Sequence, residues 1–228
     1  MMSSVRAGDG SRSDYAAILK RPSFSEFSHH KEAVLCLDWD CEGGMLGSGS
    51  MDKTACVMRL TDRLTRELEL RGHSGSVDFL TWHPNNKSVL ATASSDHHVK
   101  FWDVRTGPKC TSTVPTKRPS ICVRYAPDGN TLAVVNLEDT LMLIDAKTGK
   151  VTKSRQFNYE VNEFTWDKSG KHLFLTNRQG RVEVYTFPEL EPTDVAITAH
   201  TASCTCINFD PTHRDIRKAD SVALLGAL

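Results

Sequence analysis

Short apolar segments and polar turns alternate along most of the chain. In segments such as HVKFWDV and RVEVYTF, apolar and polar residues alternate with a period of about two, as in a β-strand with one buried face. Apolar runs such as VLATAS and TLAVVN precede them, and turns rich in Gly, Asn and Asp join the two. No stretch of about 10–15 residues shows helical spacing bounded by caps. The pattern therefore predicts an all-β protein.

One aromatic position recurs at a nearly constant interval, at the end of an apolar segment and before a turn. It is occupied by Trp39, Trp82, Tyr125, Trp166 and Phe209, so the successive intervals are 43, 43, 41 and 43 residues. Each unit supplies three clear strands and a weaker fourth, which is typical of β-propeller blades. A single blade cannot bury both of its faces, so blades must stack side by side. The repeat predicts a propeller of four blades plus a broken fifth, which is an incomplete ring.

The repeat also divides the chain into three segments. Residues 1–28 are rich in Ser, Gly and charge and are predicted to form a flexible tail, in which Phe24 and Phe27 could begin an outer strand. Residues 29–212 contain the blades, and residues 213–228 are predicted to be a divergent, truncated C-terminus, because the fifth unit loses the pattern there. An open arc exposes the flat faces of its end blades, so we expect the chain alone to be unstable or oligomeric.

The second unit carries the most specific motif. It begins with Arg71-Gly72-His73 and continues as LATASSDHHVKFWDV, and with these residues it resembles the WD-repeat family. In that family a histidine, a strand Ser or Thr, a turn Asp and a Trp form a hydrogen-bonded network within the blade. The resemblance implies this structural role for His73, Thr92, Asp96 and Trp102. The chemistry is consistent, because a carboxylate accepts from an imidazole, the imidazole accepts from a hydroxyl, and the hydroxyl oxygen accepts from an indole.

The other units keep less of this motif. The first unit keeps His30, Ser48 and Asp52 but has Met58 in place of the Trp. The third and fourth units have other residues at all four positions, namely Thr116, Val134, Glu138 and Ile144, and then Phe157, Leu175, Gln179 and Tyr185. We therefore expect apolar packing between blades, rather than this network, to stabilise most of the arc.

A narrower resemblance extends over roughly residues 29–211. The segments GSGSMDKTACV, FNYEVNEFTW, FLTN and FPEL, in this order, are similar to the WD-repeat subunits of THO complexes, the nuclear TREX assemblies that couple transcription to mRNA export. The resemblance implies a non-catalytic scaffold in the nucleus. Its partners would be other protein subunits of the mRNA-export complex, and any RNA contact would be indirect. A different WD-repeat adaptor, such as a histone-binding protein or a ubiquitin-ligase substrate receptor, is the alternative.

Charge adds one candidate contact surface. The chain has 28 basic and 28 acidic side chains, so no overall field favours nucleic acid or a membrane surface. Between Lys147 and Arg181, however, eight basic residues accompany three acidic ones. Most of the basic residues lie in predicted turns and could share one rim, and the candidate patch consists of Lys168, Lys171, Arg178 and Arg181. Such a patch is either an ordinary solvated surface or a contact for RNA phosphates or an acidic partner segment.

The sequence contains no motif of catalysis. It has no GxSxG, no HExxH and no Gly-rich phosphate loop followed by a helix, and its seven cysteines form no CxxC pair. His97 and His98 invite a zinc hypothesis, but they fall in a strand-joining turn, where at most one can face a given partner. No apolar run approaches the roughly 20 residues that a membrane span needs. The sequence therefore predicts reduced cysteines, no enzyme activity, no metal, no cofactor, no small-molecule substrate and no membrane partner.

Overall fold

The computed structural model describes residues 28–61, 64–198, 200–209 and 222–223. These residues form four four-stranded antiparallel sheets and one two-stranded sheet. The first two sheets contain β1 (Val34–Trp39), β2 (Met45–Ser50), β3 (Thr54–Leu60), β4 (Leu64–Arg71), β5 (Val77–Trp82), β6 (Val89–Ser94), β7 (His98–Asp103) and β8 (Cys110–Pro115). The next two contain β9 (Ser120–Tyr125), β10 (Thr131–Asn136), β11 (Thr140–Asp145), β12 (Val151–Gln156), β13 (Val161–Trp166), β14 (His172–Asn177), β15 (Arg181–Thr186) and β16 (Pro192–Thr198). The two-stranded sheet pairs β17 (Asn208–Phe209) with β18 (Val222–Ala223).

These sheets are the blades that the repeat predicts. The innermost strands β1, β5, β9 and β13 contact one another in succession, β17 follows β13, and the described sheets form an arc that does not close into a ring. Apart from one 3-10 turn at Val104–Thr106, the described residues contain no helix. The prediction of an all-β propeller with four blades and a partial fifth is therefore confirmed. Residues 1–27 of the predicted tail, with Phe24 and Phe27, lie outside the described residues, as does most of the predicted C-terminal segment.

Apolar side chains fill the space between neighbouring blades. The repeated aromatics Trp82, Tyr125 and Trp166 each belong to a different buried cluster and are 4%, 7% and 5% exposed. Trp39 ends the innermost strand of the first blade, which has no preceding blade among the described residues, and it is 45% exposed. The aromatic period of the sequence thus reflects the burial of each blade against the one before it.

A β-bulge recurs in the innermost strand of each of the four four-stranded blades. The pairing register with the next strand shifts between the fifth and the third residue before the repeated aromatic. The residues left out of the ladder are Leu35, Asp78, Ile121 and Asn162. A bulge bends the strand and turns its extra residue in a new direction. Ile121 and Asn162 accordingly line the cavities at the centre of the arc.

Candidate functional site

The second blade holds a continuous chain of buried hydrogen bonds. His73 lies in the loop before β5, Thr92 on β6, Asp96 in the turn after it and Trp102 on β7. The indole of Trp102 donates to Thr92 Oγ1 at 2.8 Å, that hydroxyl contacts His73 Nε2 at 2.8 Å, and His73 Nδ1 contacts Asp96 Oδ2 at 2.9 Å. The structure therefore brings all four residues of the predicted network together, in a geometry in which each donor has an acceptor.

Burial and hydrogen bonding together set the charge states of the two ionisable side chains in this network. Desolvation lowers the pKa of His73, although Asp96 works in the opposite direction, so the imidazole is neutral at pH 7. Burial alone would raise the pKa of Asp96, but the amide of Ser74 and the imidazole of His73 bond to its carboxylate, and its pKa is lowered on balance. A neutral imidazole can donate from Nδ1 to Asp96 and accept at Nε2 from Thr92, as the hydrogen-bond network requires.

The first blade forms a shorter version of the network. His30 contacts Asp52 Oδ2 at 3.0 Å and Ser48 Oγ at 2.8 Å, and the Thr54 hydroxyl donates to Asp52 Oδ1 at 2.6 Å. Burial opposes ionisation of Asp52, but the bonds from Thr54 and from nearby amides prevail and lower its pKa to about 2. Met58, at the position of the missing Trp, is buried and adds only apolar contact.

In the third and fourth blades, asparagines hold the same turn. Asn136 Oδ1 accepts from the amides of Glu138 at 3.0 Å and Thr140 at 3.1 Å. Asn177 Oδ1 accepts in the same way from Gln179 and Arg181, at 3.0 Å each. In the first two blades a serine and an aspartate divide these two amides between them. None of the sequence motifs predicted this role of the asparagines, although Ser50, Ser94, Asn136 and Asn177 recur with the period of the blades.

The fourth blade replaces the hydrogen-bonded chain with an aromatic cluster. Phe157 and Tyr185 occupy the positions of the histidine and the tryptophan, and their rings meet edge to face with centroids 5.3 Å apart. The hydroxyls of Tyr159 and Tyr185 are 2.9 Å apart. The guanidinium of Arg155, on the outer strand of the third blade, lies 5.9 Å from the Phe157 centroid and 5.1 Å from that of Tyr185. Aromatic and cation–π contacts thus occupy the place of the polar network.

The third blade keeps neither arrangement. Val134 and Ile144 are fully buried in the cluster between the second and third blades. The Thr116 hydroxyl donates to the carbonyl of Arg118 at 2.7 Å, and Arg118 pairs with Glu138 at 2.6 Å on the surface. The four positions that correspond to the network therefore form no hydrogen-bonded chain, as their residue types predict.

The structure does not bring the candidate basic patch together. Lys168 and Lys171 lie in the turn before β14, whereas Arg178 lies in the turn after it and Arg181 begins β15. Because β14 spans six residues at about 3.3 Å each, the two pairs lie on opposite faces of the arc. We call the side with the Lys168 turn the first-turn face and the side with the Arg178 turn the second-turn face. The expectation of one shared rim is wrong for these residues, because successive turns of an antiparallel sheet alternate between its ends.

The innermost strands form the concave wall of a channel. A cavity of about 580 Å³ lies against this wall, and its charged lining residues are Asp38, Arg124 and Glu163. Arg124 Nη2 donates to Glu163 Oε1 at 2.5 Å, and the amide of Ile207 donates to Glu163 Oε2 at 2.8 Å, so these contacts link successive blades. Asp38 accepts from the amide of Trp82 at 3.0 Å, and burial raises the pKa of its carboxyl above the usual value.

A second cavity, of about 470 Å³, adjoins the first on the second-turn face. Both cavities are lined by Ile121, Asn162 and Thr205. The lining of the second is completed by Leu137, Asp139, Glu160 and Val161. We call this second cavity the channel mouth. Its lining combines apolar side chains, an amide and two carboxylates. No sequence motif predicts this cavity, because its residues come from separate blades.

The cysteines are free thiols in environments that keep most of them unreactive. All seven are unpaired with one another, and Cys41 and Cys206 are exposed whereas three others are buried. Burial raises the pKa of Cys36 to about 12 and the pKa values of Cys56 and Cys122 to about 11, so these thiols are protonated at neutral pH. Within the described residues, no group of three or more His, Cys, Asp or Glu side chains is placed to hold a metal ion. None of the described helical segments has the length and apolar character needed to span a membrane.

Comparison with known proteins places these features in context. The family model "WD domain, G-beta repeat" matches residues 21–57 and 64–103, which include strands of the first two blades. THO complex subunit 3 of Arabidopsis thaliana is 42% identical over 205 residues, covering 88% of this chain and 64% of the plant protein. WD repeat-containing protein AAC3 of Dictyostelium discoideum is 39% identical over 165 residues, covering 69% of this chain and 34% of that protein. Human Protein NEDD1 is 24% identical over 182 residues, covering 79% of this chain and 28% of that protein.

The extent of each match can be compared with the hydrogen-bond networks of the blades. The family model matches the two blades that retain the histidine-based networks, and its matches do not extend to the third and fourth blades. The match to the plant protein covers 88% of this chain. The remaining 12% is shorter than one blade, so the match must include parts of all four blades. The chain spans less than two thirds of the length of each of these relatives. The resemblance to the WD-repeat family is therefore confirmed, and the similarity to THO complex subunit 3 reaches the divergent blades as well.

Proposed function

Because this chain contains WD repeats, we propose that it is a non-catalytic scaffold subunit of a THO-type assembly that couples transcription to nuclear mRNA export. The observation that carries the proposal is the 42% identity to THO complex subunit 3 across 88% of the chain. A blade pattern common to many propellers would not by itself favour this assembly. The divergent blades contribute to the similarity, and their aromatic cluster and asparagine turns differ from the general motif.

The form of the molecule supports a scaffold. Apolar clusters between the blades and inter-blade hydrogen bonds such as Arg124–Glu163 hold the sheets side by side, which leaves the connecting turns on two faces for partners. The first cavity is lined by the thiols of Cys36, Cys122 and Cys206, and burial raises the pKa of the first two, which keeps them protonated and weakly nucleophilic. The proposed partners are the other protein subunits of the assembly, in the nucleus, with RNA contacted through those subunits.

Affinity purification from nuclear extract tests this proposal. The tagged full chain is recovered with and without ribonuclease, and co-eluting proteins are quantified by mass spectrometry. We expect the other subunits of a THO complex in near-stoichiometric amounts, unchanged by ribonuclease. Recovery of histones or ubiquitin-ligase subunits in their place would support the alternative WD-repeat adaptor instead, and loss of the THO subunits after ribonuclease would contradict protein-mediated assembly.

A further inference from the structure

We propose that the channel mouth binds a lysine or arginine side chain, flanked by an aliphatic residue, from a partner polypeptide. The site consists of Leu137, Asp139 and Glu160 together with the channel residues Ile121 and Asn162. The inference rests on the proposed scaffold function only in taking the partner to be a polypeptide. Charge, exposed apolar surface and rigidity of the walls each favour this occupant.

Charge is the first argument. The two adjoining cavities are lined by four carboxylates, those of Asp38, Asp139, Glu160 and Glu163, but by a single cation, Arg124. Arg124 is already bonded to Glu163 at 2.5 Å. Even when Arg178 is counted, which pairs with Glu160 from outside the lining, the channel and its mouth hold four carboxylates and two cations. This excess of negative charge in a concave space concentrates the field and attracts a cation. Nucleic-acid phosphates or an acidic segment would be repelled from the same space.

Both carboxylates of the mouth can accept a further donor. Asp139 uses Oδ1 to accept from the amide of Val161 at 2.9 Å, which leaves Oδ2 for a partner. Glu160 pairs with Arg178 at 2.9 Å, but the two side chains are 51% and 70% exposed. An exposed pair of this kind contributes roughly 0–1 kcal/mol, so an incoming cation can share or replace it.

Exposed apolar surface is the second argument. Leu137 lies at the tip of the turn between β10 and β11. Its apolar side chain is 62% exposed, so it contributes little to the core of the fold. The corresponding turn residues of the second and fourth blades are Ser95 and Arg178, which are suited to water. That of the first blade is Met51, which is also apolar and 48% exposed but does not line the mouth. Leu137 and Ile121 line the mouth beside its carboxylates. Lysine and arginine match this combination, because their methylene stems pack on apolar surface while their heads reach an acidic group.

The walls of the site are held in place before any partner arrives. The amide of Leu137 donates to the carbonyl of Pro119 at 3.0 Å, and the amide of Phe157 donates to the carbonyl of Asp139 at 3.0 Å. Asp139 has a φ of 56°, a conformation fixed by the turn. A preformed cavity of about 470 Å³ also exceeds what one side chain fills, so a neighbouring aliphatic residue of the partner fits beside the cation.

A short peptide of defined charge tests the proposal on the full purified chain. The probe is fluorescein-labelled Gly-Leu-Arg-Leu-Gly amide, and its matched control has citrulline, which is neutral and nearly the same shape, in place of arginine. Binding is measured by fluorescence anisotropy over a salt series. We expect the arginine peptide to bind about tenfold or more tightly than the citrulline peptide, with an affinity that falls as salt rises. Equal binding of both peptides, or no binding of either, would overturn the proposal.

Two double variants locate the binding. Asp139→Asn with Glu160→Gln removes both charges but keeps an oxygen for the Val161 amide, and we expect about threefold to tenfold weaker binding. Glu42→Gln with Glu189→Gln removes two charges from turns of the first-turn face and should change nothing. A far-ultraviolet circular dichroism melt verifies that both variants fold. Decauridine, a short single-stranded RNA, is added as a competitor and should not displace the arginine peptide. Displacement by decauridine, or equal binding by the two double variants, would show that the peptide binds at a different site.

The outcome is separable from that of the proposed function. The peptide assay uses only the purified chain, so it does not depend on which complex the chain joins. If THO subunits co-purify with the chain but the arginine peptide does not bind, only the channel-mouth proposal fails. If the peptide binds with the expected charge dependence but no THO subunit co-purifies, the site stands and the assembly must be another one.

Discussion

The second and fourth blades have the same strand order, yet they are held by different chemistry. In the second blade Trp102, Thr92, His73 and Asp96 form a chain of hydrogen bonds. In the fourth, rings and a guanidinium meet at the equivalent positions. A net buried hydrogen bond contributes roughly 0.5–1.5 kcal/mol and an aromatic pair about the same, so either solution can hold a blade. Their difference lies in what happens when one member is removed.

A polar chain is less tolerant of substitution than an aromatic cluster. Removing one member of the chain leaves buried donors or acceptors without partners, at a cost of roughly 1–3 kcal/mol for each group. Removing one ring leaves contacts that neighbouring side chains can partly restore. In the third blade, Val134 and Ile144 at the corresponding positions are buried and make only apolar contacts, so no polar partner is lost when either is replaced.

The largest effect is expected at Trp102. Trp102→Ala opens a cavity in the cluster between the first two blades and removes the donor to Thr92, so we expect a loss of about 3–5 kcal/mol in the free energy of unfolding. Equilibrium denaturation of the full chain measures it. Trp102→Met copies the residue that the first blade has there and should lose clearly less. A loss below about 1 kcal/mol for Trp102→Ala would contradict the role assigned to the second blade.

Thr92→Val isolates the hydrogen bonds from the packing. The substitution keeps the volume but leaves His73 Nε2 and the Trp102 indole without their buried partner, so we expect a loss of about 2–3 kcal/mol. Thr92→Ser, which keeps the hydroxyl, is the matched control and should retain most of the stability. Valine is the natural residue at this position of the third blade, Val134. If valine were tolerated equally well in the second blade, the polar chain would contribute nothing there.

The turn asparagines should contribute more than the serines that they replace. Asn177→Ala removes the acceptor of two amides, whereas Ser94→Ala removes the acceptor of one. We expect about 1–2 kcal/mol for the asparagine and about half of that for the serine, from the same denaturation measurement. A larger loss at Ser94 than at Asn177 would show that the two kinds of turn are not equivalent.

The smallest effect is expected at the cation–π contact. Arg155 is partly exposed, so Arg155→Met should cost only about 0.5–1 kcal/mol through loss of its contacts with Phe157 and Tyr185 and of its hydrogen bond to the Leu190 carbonyl. Lys153→Met is the control, because Lys153 lies on the same strand and also donates to a carbonyl, that of Glu189, but has no ring contact of this kind, and it should cost less. Equal losses for the two variants would leave no separate contribution from the rings.

The sequence predicts the architecture better than it predicts the site. The aromatic period follows from blade-against-blade burial, so Trp82 and Trp166 mark the fold directly. The motif of the second blade likewise places Thr92 and Trp102 in contact, because pairing of adjacent strands brings those positions together.

The missed features have two physical causes. Asn177 acts within its own turn, and its recurrence with Asn136 is visible in the sequence once the serine positions are aligned with it. The channel mouth is different, because Leu137 and Glu160 come together only when two blades have packed, and no spacing along the chain encodes the angle between blades. The prediction that the basic turn residues share one rim was wrong for a simpler reason. Successive hairpin turns lie at alternate ends of the sheet, which separates Lys168 from Arg178.

The pH dependence of the blades tests the central claim, that one arc is held by two chemistries, most directly. Burial lowers the pKa of His73 below its unfolded value of about 6.5, so the unfolded state takes up more protons on acidification and stability is lost as pH falls through and below that value. The fourth blade has Phe157 at this position and nothing there to titrate.

Hydrogen exchange followed by mass spectrometry at pH 7.5 and pH 5.5, corrected for intrinsic exchange rates, compares β6 with β15. We predict that protection of β6 falls at the lower pH while that of β15 does not. Equal loss in both strands, or loss in β15 alone, would contradict the account.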